Sequence, residues 1–336
     1  MTSMRILTIL NRQLHYTGAS KHLQGLHRAA ADVTKVRTYN CHSNEDAPSY
    51  ETLLYHVKDK VAYITLNRPE HLNAINSQMP GEIQSAVKRA NVDDNVKVII
   101  LGGSGRAFCA GYDLKMSAEN ERGEINIGNQ KMPWDPLEDF RALDYCTKAF
   151  MSLWHSYKPT IAKVHGYGIA GGSDIALCAD MVIMAENAKI GYPPARVWGC
   201  PTTAMWTFRV GPEKAKRMML TGDLITGKEA AEMGLVLEAV PEDKLDETVQ
   251  KLADRIKTVP ANQLFFQKQV INQVAEQMGL FQAQRLATLL DGMTRHSPEG
   301  VAFQKYAMEH GFKKAVKLRD SGEMDWTEEA DKHGRE

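Results

Sequence analysis

The feature that most limits the fold of this chain is an alternation of short apolar runs with longer amphipathic segments. The apolar runs are KVAYITL (60–66), VKVIIL (96–101), TIAKVHG (160–166) and DMVIMA (180–185). Helical periodicity marks two segments between them, 78–93 and 135–157. Runs this short, apolar and rich in β-branched residues are typical of strands buried on both faces. The alternation therefore predicts an α/β fold with right-handed crossovers.

The pattern changes near both ends of the chain. After Pro260 it is helical only, and the predicted helices of this region are 262–278 and 298–320. Apolar residues there, including LFF (264–266), exceed what an α/β core needs, which favours self-association. We therefore assign three regions: an N-terminal extension at 1–48, the core at 49–256, and a helical oligomerisation segment and tail at 257–336.

The first 44 residues have the composition of an organelle transit peptide. They contain six Lys or Arg residues and one acid, Asp32. Apolar residues in 4–16 recur at roughly helical spacing, with Arg5 and Arg12 on the polar side. Amphipathic, Arg-containing, acid-poor segments are typical of mitochondrial import. We expect a mitochondrial matrix location; the alternatives are an untargeted extension on a cytoplasmic protein and a misplaced start codon.

Charge and motif content argue against several classes of function. Basic and acidic residues balance at 41 each, which gives no field favouring nucleic acid or an anionic membrane. No run approaches the roughly 20 apolar residues of a membrane-spanning helix. Glycine-rich P-loop and Rossmann motifs and metal-ligand spacings are absent from the sequence, so we expect no metal and no nucleotide cofactor. Five scattered cysteines indicate reduced thiols in an intracellular compartment.

Two glycine-containing turns are the strongest candidates for chemistry. AFCAGYDLK (107–115) follows a predicted strand, and KVHGYGIAGGSDIALCAD (163–180) runs from a strand through Gly171-Gly172 into a helix. Such turns leave backbone N–H groups unpaired, and a helix start adds the positive end of its dipole. Two turns facing each other would form an oxyanion hole, worth about 3–4 kcal/mol per donor to a developing enolate. Either turn alone is more readily explained as a structural corner.

Together with three further segments, these turns resemble the enoyl-CoA hydratase/isomerase (crotonase) family. The matching segments, in order, are LNRPEHLNAIN (66–76), 107–115, 158–180, LTGDLITGKEAAEMGLVLEAV (220–240) and SPEGVAFQK (297–305). The resemblance extends over residues 50–320. It implies a crotonase-like (ClpP/crotonase) α/β spiral of stacked ββα units. It also implies C-terminal helices that form the subunit contact of a homotrimer, often paired into a hexamer.

The resemblance implies an acyl-coenzyme A thioester as the substrate, with coenzyme A as part of it and not a separate cofactor. The backbone N–H groups of Tyr112 and Gly171 would bind the thioester oxygen. Arg68 or His71 would replace a basic residue that the family often has at Glu70. Coenzyme A would lie along Leu72, Ala74, Ala110, Asp113 and Leu114, with Lys115 near its phosphates. The structural alternatives are a turn cap for Asp113 and a surface charge for Lys115.

The acid–base residues depart from the family pattern. Crotonase hydratases generally use two glutamates, and Asp174 in GGSDIA occupies the first position. The second position falls at Pro194 or Ala195, neither of which can carry a proton. Hydration needs a base for water and a proton source for the α-carbon. Asp174 is therefore the expected acid–base residue, with helix capping as its structural alternative, and its partner remains open.

Several residues are candidates for assisting Asp174. Asp135, Glu138 and Asp139 could supply a second carboxylate, although a helix cap and first turn explain them better. Tyr192 and Cys200 could line the cavity, with core packing as the favoured explanation. Arg196 could bind a substrate carboxylate or hold Asp174, with a structural ion pair or a surface charge as the favoured explanation.

Three functions are consistent with these residues. The leading one is hydration of a 2-enoyl-CoA through an oxyanion-stabilised enolate. The second is another enolate reaction of the same scaffold: isomerisation, decarboxylation, carbon–carbon hydrolysis or thioester hydrolysis. The third is a catalytically weak CoA-binding subunit of a larger assembly.

Overall fold

The computed structural model of the protein describes residues 49–113 and 130–332. The predicted transit peptide in 1–48 lies outside the described residues, as do two predicted coenzyme A contacts, Leu114 and Lys115. Within the described ranges, no helix is both long enough and apolar enough to cross a membrane.

Strands in the described ranges form two sheets. In chain order they are β1 (Leu53–Lys58), β2 (Val61–Leu66), β3 (Val98–Gly103), β4 (Thr160–Val164), β5 (Tyr167–Ile169), β6 (Met181–Ala185), β7 (Lys189–Gly191), β8 (Leu224–Thr226) and β9 (Glu238–Val240). The larger sheet has the order β1-β2-β3-β4-β6-β9. Its β1–β2 pair is antiparallel and its other pairs are parallel. The four predicted apolar runs supply β2, β3, β4 and β6, which confirms the α/β prediction.

Helices connect these strands and cover the larger sheet. Before residue 257 they are α1 (Met79–Val92), α2 (Pro136–Met151), α3 (Gly171–Leu177), α4 (Met205–Thr221), α5 (Gly227–Glu232) and α6 (Leu245–Ile256). The helix predicted over 135–157 ends earlier than expected, at Met151. Turns replace its last residues and lead the chain into β4. Pro159 disfavours helical backbone at Lys158, just before that strand.

The smaller sheet brings the two glycine turns together. Its order is β5-β7-β8, with β5 and β7 parallel and β7 and β8 antiparallel. Single bridges join Cys109 to Gly168 in β5 and Ile75 to Tyr112. The segment 107–113 therefore runs beside β5, the strand that leads into α3.

Asn73 fixes the loop before α1 to the segment after β3. Its side-chain amide donates hydrogen bonds to Ser104 O (2.9 Å) and Ala107 O (2.8 Å), and its Oδ1 accepts one from Arg68 N (2.7 Å). The residue is fully buried, in left-handed backbone with φ 54°. Asparagine adopts this conformation more readily than most residues. Its side chain holds the backbone at Arg68, Ser104 and Ala107 together.

The C-terminal region is helical, as predicted, throughout its described residues. Its helices are α7 (Ala261–Gln277), α8 (Leu280–Arg295), α9 (Pro298–His310), α10 (Phe312–Ser321) and α11 (Trp326–Lys332). The prediction of one helix over 298–320 was wrong, because Gly311, at φ 90°, separates α9 from α10. Helix α8 was not predicted.

Helices α7 and α8 have polar inner faces and apolar outer faces. Their buried residues include Lys268, Asn272, Gln284, Thr288, Asp291 and Arg295. Their exposed residues include Phe266, Val270, Val274, Phe281, Leu286, Leu289 and Met293. A solvent-facing helix of a monomer normally has the opposite arrangement. An exposed apolar surface of this extent is typical of an interaction site.

We predict that Asn73→Ala lowers the free energy of unfolding by at least about 2 kcal/mol, because it leaves buried carbonyl groups without their donors. Urea denaturation monitored by circular dichroism would measure the change. Asn95→Ala, at an exposed position, is the matched control and should cost less than about 0.5 kcal/mol. Equal losses for the two variants would contradict the anchoring role of Asn73.

Candidate active site

The turns at Gly111 and Gly171 are in direct contact. A Cβ built on Gly111 would lie 2.9 Å from Ala170 Cβ and 3.5 Å from Gly171 N. A Cβ on Gly171 would lie 2.9 Å from Cε2 of the Tyr112 ring. The absence of side chains at both glycines permits this approach. The expectation that the two turns are neighbours is confirmed.

The amide nitrogens of Tyr112 and Gly171 are the predicted oxyanion donors. Among the described residues, neither nitrogen has a main-chain hydrogen-bond acceptor. Gly171 is the first residue of α3, a position whose N–H has no acceptor within its own helix. The preceding Ala170 has φ 52° and ψ −125°, a conformation that non-glycine residues rarely adopt. The backbone is therefore strained at the point that orients the Gly171 N–H.

Beside these turns lies a cavity of about 260 Å³. Its apolar wall includes Leu143, Ile169, Trp198 and Val316, and its polar wall includes Asp174, Thr202, Asp291, Arg295, Arg319 and Asp320. Ala110, Tyr112 and Ala170 from the two turns complete part of the lining. The cavity therefore lies between the two turns that carry the predicted oxyanion donors and the C-terminal helices α8 and α10.

Asp174 is the predicted catalytic residue, and it lies inside this cavity. Its side chain is buried and accepts a hydrogen bond from Thr203 Oγ1 at 2.6 Å. Burial raises the pKa of Asp174 to about 8; the Thr203 hydroxyl lowers it and the charge of Asp291 raises it further. Desolvation is therefore the dominant influence on this carboxyl group, and it favours the protonated form.

The predicted coenzyme A contacts lie on the side of the first turn. Ala110 lines the cavity, and Ala110 N donates a hydrogen bond to Leu72 O at 3.0 Å. Asp113 forms an ion pair with Arg68 at 3.1 Å, in which both side chains are 10% exposed. Arg68 is thus occupied in a buried structural contact, whereas His71 is half-exposed. Of the two expected substitutes for a basic residue at Glu70, His71 is the accessible one.

Comparison with known proteins agrees with this geometry. The family model for enoyl-CoA hydratase/isomerase matches residues 56–310, more than half of the chain. The chain belongs to this family. A probable enoyl-CoA hydratase of Mycobacterium bovis is 33% identical over 68% of this chain and 84% of its own length. A 2,3-dehydroadipyl-CoA hydratase of Escherichia coli is 31% identical over 73% of this chain and 92% of its own length.

Solved structures of family members share the fold. A crystal structure of an enoyl-CoA hydratase from Mycobacterium smegmatis has a TM-score of 0.77 and 44% sequence identity. The match covers 82% of this chain and 94% of that chain. The predicted crotonase-like fold is therefore confirmed.

The position of the family's second acid–base residue lies at the cavity, but the residue there has no carboxylate. Pro194 lines the cavity there, and so does Tyr192, whose pKa is raised well above its ordinary value by burial. Arg196 instead donates hydrogen bonds to Arg319 O (2.7 Å) and Thr221 O (2.6 Å). It therefore connects α4 and α10, which agrees with the structural role favoured for it. Cys200 is not among the residues that line the cavity.

The three acids proposed as substitutes do not line the cavity either. Asp135 caps α2 by accepting hydrogen bonds from the backbone N–H groups of Leu137 and Glu138, as the capping explanation predicted. Glu138 is exposed. Asp139 is buried and pairs with Arg295 at 3.3 Å, a contact that the first-turn explanation did not include.

Sequence reasoning missed the carboxylate that does line the cavity, Asp291. It lies on α8 and is 6% exposed. Cys200 N donates a hydrogen bond to its Oδ1 at 2.8 Å, and Arg295 Nε lies 3.2 Å from its Oδ2. The available signal was the recurrence of Gln284, Thr288, Asp291 and Arg295 along one face of the helix. Polar residues at that spacing indicate one polar face.

We predict that Asp174→Asn removes part of the pH dependence of stability. The folded-state pKa of about 8 exceeds the ordinary aspartate value of 3.8. The folded state thus binds more protons than the unfolded state between about pH 4 and 8, and stability falls as pH rises through this window. Thermal unfolding at pH 5 and pH 8 should show wild type losing stability relative to the variant.

The exposed Asp94 provides the control for that comparison. Asp94→Asn removes a surface carboxyl group and should follow wild type at both pH values. If Asp174→Asn also follows wild type, the raised pKa assigned to Asp174 is wrong.

Proposed function

We propose that this protein adds water to a 2-enoyl-CoA thioester through an enolate, with Asp174 as an acid–base residue. The observation that carries the proposal is the position of Asp174. Its buried carboxyl group lies in the same cavity as Tyr112 and Ala170, which belong to the two touching turns. A protonatable group beside backbone N–H donors is what enolate chemistry on a thioester requires.

The backbone N–H groups of Tyr112 and Gly171 would stabilise the charge that develops on the thioester oxygen. Water attack at the β-carbon moves electrons to that oxygen and forms the enolate. Donors fixed in advance by a strained backbone need no reorganisation when the charge appears. The Ala170 conformation and the contact between the turns both support this role, because they hold the two amides in place.

Proton transfer would complete the reaction. The β-carbon gains hydroxide from water, the water proton passes to a base, and the α-carbon gains a proton as the enolate collapses. Asp174, with a pKa of about 8, can hold a proton at neutral pH and can also release it. The names of the relatives support hydration, since one is a probable enoyl-CoA hydratase and the other a 2,3-dehydroadipyl-CoA hydratase.

A second enolate reaction is the alternative that one observation favours. Pro194 at the second family position leaves that site without a local proton carrier. Isomerisation, decarboxylation or thioester cleavage could then proceed on the same oxyanion-binding scaffold. Incubation with crotonyl-CoA, 2,3-dehydroadipyl-CoA and longer enoyl-CoAs, followed by liquid chromatography and mass spectrometry, separates these reactions, because chromatography resolves isomers of equal mass. Products heavier by one water support hydration, and any other product overturns it.

We predict that Asp174→Asn lowers kcat for hydration by about 10²–10⁴-fold, because the amide keeps the shape but cannot carry a proton. Acyl-CoA affinity should change little, since the oxyanion donors are backbone groups. Steady-state kinetics and calorimetric titration with a saturated acyl-CoA would measure the two effects.

Asp135→Asn is the matched control, because Asp135 caps α2 outside the cavity. Asn caps a helix about as well as Asp, so this variant should keep wild-type turnover. An Asp174→Asn variant that behaves like this control would remove Asp174 from the mechanism.

We also propose that the chain forms trimers or hexamers through the outer faces of α7 and α8. Val270→Glu combined with Leu289→Glu places two charges on this surface and should convert the oligomer to monomers in sedimentation velocity. Val92→Glu, at an exposed apolar residue of α1, should leave the assembly intact. A wild-type protein that sediments as a monomer at micromolar concentration would contradict the proposal.

A further inference from the structure

Hydration as proposed above moves two protons, and one carboxyl group does not account for both. Water must lose a proton while the α-carbon gains one, so a pair of groups in opposite protonation states is the simplest arrangement. Asp174 supplies one such group. The cavity contains a second carboxyl group of matching burial, that of Asp291.

Asp291 reaches the part of the cavity where the chain has Pro194. The point at which a Cβ on Gly199 would stand is 3.2 Å from Pro194 Cβ and 3.5 Å from Asp291 Oδ1. Both residues line the cavity, as does Gly199 itself. Pro194 and the Asp291 carboxylate therefore flank the same point beside Gly199.

The Asp291 carboxylate is held in a fixed orientation. Cys200 N donates to Oδ1 at 2.8 Å, and Arg295 Nε lies 3.2 Å from Oδ2. Arg295 is in turn 3.3 Å from Asp139 Oδ1, and Trp134 Nε1 donates to Asp139 Oδ2 at 2.7 Å. A chain of buried polar contacts thus runs from α2 through Arg295 to Asp291, and supporting contacts of this kind hold reactive groups in productive geometry.

The charged groups around Asp291 differ from those around Asp174, so different neighbours act on the pKa values of the two carboxyl groups. Charged or titratable groups that face Asp291 or share its cavity are Arg295, Asp139, Asp174, Tyr192, Cys200, Arg319 and Asp320. Burial raises the pKa of Asp291, whereas Arg295 and the Cys200 N–H lower it. Among the described residues no cation is paired with Asp174, and burial raises the pKa of its carboxyl group to about 8. Two carboxyl groups with different surroundings are suited to opposite protonation states.

We propose that Asp291 is the second acid–base residue of this site, delivered by the C-terminal helix α8 in place of a residue at position 194. This inference rests on the proposed hydration. One carboxylate of the Asp174–Asp291 pair accepts the proton of the attacking water. The other, as the carboxylic acid, gives its proton to the α-carbon. A proton exchange with solvent then returns both groups to their starting states.

The test is Asp291→Asn, assayed for hydration with the acyl-CoAs that wild type turns over. We expect kcat to fall about 10²–10⁴-fold with little change in KM. The bell-shaped pH profile of an acid–base pair should lose one limb. The remaining inflection should move to lower pH, because the Asp291 charge that raises the pKa of Asp174 is gone.

Asp180→Asn is the matched control for loss of a buried ion pair. Asp180 pairs with Lys268 at 2.8 Å and does not line the candidate cavity. This variant should lose thermal stability but keep wild-type kcat and both limbs of the pH profile. Asp291→Glu, which keeps a titratable group of different length at this position, should keep both limbs, with the limb of residue 291 displaced in pH.

Four results would overturn the proposal. If wild type hydrates a substrate and Asp291→Asn keeps kcat within about threefold, Asp291 is excluded and the proposed function stands. If kcat falls while both limbs of the pH profile persist, Asp291 is structural only. If wild type hydrates no acyl-CoA, the proposed function fails and this inference fails with it. Should the Asn variant not fold, an Asp291→Glu variant with an unshifted pH profile overturns it equally.

Discussion

The contact between the turns at Gly111 and at Gly171-Gly172 is the constraint on which the rest of the structure depends. A Cβ on Gly172 would stand 2.2 Å from Cys109 O, and one on Gly111 would stand 2.9 Å from Ala170 Cβ. Any side chain at these positions would force the two segments apart. Because 107–113 also bridges to β5 and to Ile75, such a separation would disturb both sheets. The same closeness brings Tyr112 and Ala170, one residue of each turn, to the lining of one cavity.

Burial then decides the chemistry that the cavity can support. The first turn of α3 favours a charged carboxylate at Asp174 through its dipole, and Thr203 Oγ1 donates to it. Both effects lower the pKa, yet removal of water raises it to about 8. A protonated carboxyl group near neutral pH results from the walls that the C-terminal helices build, since Asp291, Arg295 and residues of α10 exclude solvent there. The C-terminal helices thus influence the protonation state of Asp174, which lies in the middle of the chain.

Local patterns in the sequence were sufficient for the strands of the larger sheet, the two turns and the position of Asp174. Each depends on neighbours a few residues apart, and the family resemblance rests on the same segments. Asp291 escaped prediction because its partners are distant in sequence: Cys200 donates to it, and Arg295 connects it to Asp139 on α2. Periodicity can reveal a polar face on α8, but it cannot say which cavity that face enters. The balance of dipole and desolvation at Asp174 likewise depends on tertiary packing.

Helix α8 has a polar inner face and an apolar outer face, and the stability of the first depends on burial of the second. Its inner face presents Gln284, Thr288, Asp291 and Arg295 to the core, and buried ion pairs of this kind contribute little net stability because desolvation offsets their attraction. Apolar burial, the dominant stabilising term in folding, is instead available on the outer face, through residues such as Phe281 and Leu289. Covering that face would supply the free energy that the inner face lacks. A carboxylate on α8 would therefore be held in the cavity more firmly in an assembled protein than in an isolated chain.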